Sequence, residues 1–83
     1  MKNAEIILRR NPYYTDAEVM AAAETIRSAD NWGDVEQECE LLMNAAGITW
    51  AELYAEYHDI DTAGTLFERA LDMAADFLGV ELY

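Results

Sequence analysis

Positive charge is what this chain most lacks. Its basic residues are Lys2, Arg9, Arg10, Arg27 and Arg69 alone, against seventeen Asp and Glu, and the formal net charge is −12. Between Arg27 and Arg69 there is neither Lys nor Arg. A surface of that sign repels phosphate backbones and anionic lipid headgroups, and it steers the protein toward basic surfaces. Proline occurs once and glycine four times, too few for the turn pattern of a β-rich fold. A single cysteine, Cys39, excludes an internal disulfide, and its place on an apolar stripe marks it as a small buried hydrophobe. There is one histidine, His58, and no Ser or Cys has a catalytic partner at recognisable spacing, so the chain reads as a non-enzyme. No Gly-rich phosphate cradle and no apolar run of membrane-spanning length is present. The apolar run near the start is too short for a signal peptide, so cytoplasmic residence is expected.

What is present is hydrophobic periodicity. Hydrophobic residues make up 53% of 83 residues, too many for a disordered chain and enough for one modest core, so residues 1–83 are expected to form a single domain. The expected fold is all-α, a bundle of four to five helices with a helix-turn-helix-like core. Asn3 is placed to cap a short helix over residues 4 to 10, which Asn11-Pro12 ends. Tyr13 and Tyr14 occupy the connector. Thr15 with Glu18 forms a capping box opening a helix to about Ser28, with Val19, Ala22, Ala23 and Ile26 inward. Asp30-Asn31-Trp32-Gly33 is a turn by composition, with Trp32 closing one end of the core. A third helix is expected from Asp34 to Ala46, with Val35, Cys39, Leu42, Met43 and Ala46 inward. The last helix is expected to be capped by Thr62 and to run to Leu78, with Ala63, Leu66, Phe67, Ala70, Leu71, Ala74, Phe77 and Leu78 inward. Gly79 terminates it before a short tail.

The stretch from residue 37 to 57 organises the rest. The apolar stripe of the third helix runs into Gly47, the residue type that ends a helix in the left-handed conformation at least steric cost. Ile48 follows, and Thr49 with Glu52 forms a second capping box opening a helix over about 50 to 58, with Leu53, Tyr54 and Tyr57 on one face. Ala45-Ala46-Gly47-Ile48-Thr49 with Leu53-Tyr54 and Tyr57 resembles the Ala-Gly-Val-Ser…Leu-Tyr…Phe pattern of TetR-type repressors. Val19 to Ala23 resembles their first helix at similar spacing. Over residues 17 to 58 the resemblance implies a three-helix core with residues 49 to 58 in the recognition-helix position. Family members carry basic and polar side chains there to meet phosphates and bases. This chain offers Trp50, Glu52 and Glu56 instead, and no counterpart of the family's ligand-binding and dimerisation domain is expected among residues 1–83.

Asp59-Ile60-Asp61-Thr62-Ala63-Gly64 resembles the start of a calcium loop, but its fifth and twelfth positions are Ala63 and Ala70, where oxygen ligands are required. A metal held by His58 and its carboxylate neighbours is a weaker explanation of those residues than helix capping and solvent exposure. No cofactor or metal is expected. Direct DNA binding is disfavoured too, because cations that release phosphate counterions drive it. Two readings remain. In the first, the helices present acidic and aromatic surface to a basic, nucleic-acid-binding protein. Carboxylates four residues apart lie about 6 Å apart along a helix, comparable to phosphates along a strand. Glu36 with Glu40, Glu52 with Glu56, and the row Glu68, Asp72, Asp76 supply that spacing, with Trp50 and Asp59 beside them. In size and charge alone the chain is similar to phage-encoded inhibitors of host defence, anti-CRISPR proteins among them. In the second reading it is a degenerate regulator or a self-associating module, such as a homodimer through exposed aromatics.

Overall fold

A computed structural model describes residues 8 to 49 and 60 to 83, with residues 60 to 64 described by their backbone alone. All regular structure among the described residues is helical: α1 (Asp16–Ser28), a 3-10 turn (Trp32–Val35), α2 (Glu36–Ala45) and α3 (Ile60–Leu78). The helix expected over 50 to 58, with its Thr49–Glu52 capping box, lies outside the described residues.

α1 begins where its sequence signal puts it. The Thr15 hydroxyl accepts from the Glu18 N–H at 3.2 Å, and Glu18 Oε1 accepts from the Thr15 N–H at 3.1 Å. Each orphan donor is thereby satisfied, a contribution of about 1 kcal/mol for such a cap. Val19, Ala22, Ala23 and Ile26 form its buried stripe. Asn31 Oδ1 then accepts from the Gly33 N–H at 2.9 Å, which starts the winding at Trp32 as a 3-10 turn. α2 therefore starts at Glu36 and not at the expected Asp34.

The end of α2 is fixed by its own backbone hydrogen bonds and by an adjoining segment. Gly47 has φ +83°. Its N–H donates to the Asn44 carbonyl at 3.0 Å, and the Ile48 N–H donates to the Met43 carbonyl at 2.8 Å, the two bonds of a Schellman ending. Ile48 and Met43 are both buried, supplying the apolar contact that accompanies it. The segment before α1 satisfies the next carbonyls: the Arg9 N–H donates to Ala46 and the Asn11 N–H to Ala45, both at 2.8 Å. Residues 8 to 10 are thus non-helical, which corrects the helix expected over 4 to 10. Residues 4 to 7 lie outside the described residues.

α3 starts at Ile60, so Thr62 lies inside its first turn and does not cap it. Ala70, Leu71 and Ala74 are buried, while Leu66, Phe67 and Leu78 are half-buried. The expected inward Phe77 is 43% exposed, and Ala75 is buried in its place. At 100° per residue Ala75 and Phe77 lie about equally far on either side of a stripe centred between Ala74 and Leu78, so packing against neighbouring chain, and not periodicity, turns Ala75 in and leaves Phe77 out. The side chain of Ala63 is outside the description. Gly79, at φ +74°, repeats the ending of α2: its N–H donates to Asp76 at 3.2 Å, and the Val80 N–H to Ala75 at 3.0 Å. The tail then folds back, burying Leu82 in the core.

α2 is the hub, with α1 and α3 each packing on it. Cys39, Leu42, Met43, Ala45 and Ala46 have no exposed surface. Burying a Leu or Met side chain fully stabilises by roughly 1.5–3 kcal/mol, so Leu42, Met43 and Leu71 anchor the fold. Trp32 and Tyr14 pack against its margin, whereas Tyr13 is 80% exposed.

Candidate protein-binding surface

Charge stays at the surface. Among the described residues no polar or charged side chain is buried. Glu36 and Glu40 on α2 are exposed one turn apart, and Glu68, Asp72 and Asp76 are exposed along α3. Trp50, Glu52, Glu56 and Asp59, the other expected contact residues, lie outside the described residues.

The basic side chains are treated differently. The Arg10 guanidinium donates to the carbonyls of Asn11 (2.7 Å), Tyr14 (2.8 Å) and Ala45 (3.5 Å), and Nη2 also meets Asp16 Oδ1 at 3.1 Å. It thus sits at the negative end of the α2 dipole, where a cation is favoured. Arg27 Nη1 donates to the Glu81 carbonyl at 2.7 Å, tying the tail to α1. Two of the few cations are therefore spent on the protein's own backbone, and their roles were not legible in the sequence, since nothing local pairs Arg27 with position 81.

The tail also organises part of the acidic surface. The Tyr83 ring lies 5.9 Å from that of Trp32, tilted by 41°. The Tyr83 hydroxyl is pushed above the ordinary tyrosine range, first by partial desolvation and then by the charge of Asp72, a hydrogen bond with it, and the charge of Glu68. Trp32, Tyr83, Glu68 and Asp72 thus share one side of the molecule. Glu36 and Glu40 are a separate pair, whose field, with that of Glu38, is felt by Cys39 beneath them. Burial and then these carboxylates push the Cys39 thiol from 9.0 to about 11. It is a protonated, buried group with no nucleophilic character at neutral pH.

Among the described residues no three His, Cys, Asp or Glu side chains converge to hold a metal ion, and no described helix is long and apolar enough to cross a membrane. The sequence reading missed an apolar feature: Met20, Phe77 and Tyr83 are exposed along one groove between α1 and the end of α3. Ala17, Met20 and Ala21 repeat at helical spacing away from the core stripe of α1, which is the signal that could have revealed it. Comparison with protein-family models, with curated proteins and with solved structures found no match to this chain.

Proposed function

We propose that this protein is an inhibitor or regulator that binds a basic, nucleic-acid-binding protein through its acidic helical surface, as a nucleic-acid mimic of the phage anti-defence, anti-CRISPR-like kind acting in the cytoplasm. The observation that carries the reading is the pair of exposed acidic rows: Glu36, Glu40, Glu68, Asp72 and Asp76 face solvent, while the guanidinium groups of Arg10 and Arg27 are held on backbone carbonyls. A partner meeting this surface meets carboxylates at one-turn spacing, with the exposed Arg69 as the one cation on the described faces of α2 and α3. Such complementarity speeds association and selects cationic partners.

The finer architecture belongs to the same proposal. A fourth helix over residues 50 to 58, opened by Thr49 and Glu52, would place Trp50, Glu52, Glu56 and Asp59 beside α2 in a helix-turn-helix-like unit. The left-handed Gly47 and buried Ile48 support it, since they end α2 in the way such a turn requires. They also favour the second reading, a degenerate helix-turn-helix regulator.

One titration separates the two. Fluorescence anisotropy with a labelled duplex at physiological salt should show no appreciable binding, because counterion release has the wrong sign here. Sub-micromolar affinity would overturn the proposal in favour of the regulator. A basic partner recovered from the source cell should release its nucleic acid on adding this protein and should dissociate as salt rises. A partner indifferent to salt would overturn the acidic-face mechanism.

A further inference from the structure

Three of the four large hydrophobic side chains exposed among the described residues share one groove: Met20 on α1 is 64% exposed, Phe77 on α3 43%, and Tyr83 in the tail 86%. The groove follows from the packing. α1 and α3 both lean on α2 and barely touch each other, so a trough of about 1200 Å³ remains between α1, the end of α3 and the tail. Ala17 and Ala21 flank Met20 with methyl groups only, so a neighbouring backbone can come close to α1. Its charged margins carry Asp16, Glu24 and Glu81, while the guanidinium groups of Arg10 and Arg27 are already engaged at that margin.

We propose that this groove receives one amphipathic helix of the partner, with an apolar stripe set on Met20, Phe77 and Tyr83 and Lys or Arg along its flanks. A helix fits because α1 offers 13 residues, about 20 Å, with Met20 standing between the small side chains of Ala17 and Ala21. Positive flanks fit because, outside the Arg10–Asp16 ion pair, the carboxylates of Glu24 and Glu81 outnumber the one guanidinium of Arg27 at the margin, and the whole chain carries −12, which also sets a second copy against docking here. The inference rests on the proposed basic partner for the sign of the helix and adds an apolar contact that the acidic face lacks.

The test is an NMR titration of the isotope-labelled full chain with a 14-residue Leu/Lys amphipathic peptide, and with its Leu/Glu counterpart, at physiological salt. Amide shifts should concentrate at residues 16 to 27 and 76 to 83, with the Leu/Glu peptide inert. Met20→Glu should weaken binding tenfold or more even though it adds negative charge, and Ala21→Trp should do the same by filling the groove. Ala21→Trp, at an exposed position, should leave the thermal midpoint unmoved, whereas Met20→Glu should lower it slightly through like-charge pairs with Asp16 and Glu24 four residues away. Shifts centred on residues 36 to 40 and 68 to 76, with both variants silent, would overturn the groove while leaving the acidic-face reading standing. Absence of binding, or the same shifts on concentrating the chain alone, would overturn it too. A loss of several degrees in midpoint for both Met20→Glu and Ala21→Trp would mean that the chain itself covers the groove, and would equally overturn it.

Discussion

A Cβ built on Gly47 would lie 2.6 Å from the Arg9 carbonyl oxygen and 3.0 Å from the Arg9 nitrogen, at φ +83°. One built on Gly79, at φ +74°, would meet nothing within 4 Å. The two positions share their backbone strain and differ only in what passes beside them. Gly79→Ala should therefore cost roughly 1–2 kcal/mol, the left-handed penalty alone. Gly47→Ala should cost more, because the extended segment that closes the carbonyls of Ala45 and Ala46 has to move. Urea denaturation of both variants reads the difference, and equal costs would mean that the Arg9 segment does not lie against the turn. Cys39 yields a second prediction at this scale. Its folded pKa, about 11, lies above the unfolded value of 9.0, so its contribution to stability is complete below about pH 9 and is lost as pH rises to about 11. The loss is at most roughly 3 kcal/mol for a shift of that size. Cys39→Ala should flatten the fall of the urea midpoint between pH 8 and 11, and an unchanged slope would show that other groups cause it.

At the scale of the element, how deep each stripe residue lies decides how much it stabilises. Leu42→Ala and Leu71→Ala remove fully buried side chains and should cost about 2–5 kcal/mol each, while Phe67, half-buried, should cost less than either when replaced by Ala. Thermal or urea melts showing Phe67→Ala as the worst of the three would contradict the packing. The ends of these helices explain which parts of the fold were legible in the sequence. Thr15 with Glu18, and Gly47 and Gly79, act through bonds to residues at most five positions away, so a local pattern specifies them. The inward stripe of α2 is local for the same reason. The errors fall where distant chain decides. Residues 8 to 10 extend because the carbonyls of Ala45 and Ala46 need donors, and nothing around Leu8 announces that need. Leu82 is buried and Phe77 exposed because the tail folds back beside α1, a choice made by packing across the whole chain. Periodicity names the face of a helix; it does not say which edge of that face a neighbour will reach.

Over the whole molecule, repulsion is left largely uncompensated. The only ion pair among the described residues joins Arg10 to Asp16, against a net charge of −12. Like charges four apart on a helix each cost a few tenths of a kcal/mol, and salt screens such exposed interactions within about 10 Å at 0.1 M. The thermal midpoint should therefore rise as sodium chloride goes from about 10 to 500 mM. If screening relieves about 1 kcal/mol, a domain of this size should gain roughly 4–8 °C. Glu36→Lys combined with Glu40→Lys should raise the low-salt midpoint and shrink that gain, because it reduces the net charge from −12 to −8 and both new charges attract the remaining carboxylates. That attraction outweighs the mutual repulsion of the two lysines and the loss of Glu36 from the first turn of α2. The same double variant should slow association with a basic partner, since rim charges act mainly on the rate of encounter. The conjunction carries the argument. A face whose reversal stabilises the isolated chain yet impairs binding is held against the interest of stability by its partner. Reversal that stabilises the chain and leaves association untouched would show Glu36 and Glu40 to serve solubility alone, and would leave the groove beside Met20 as the contact.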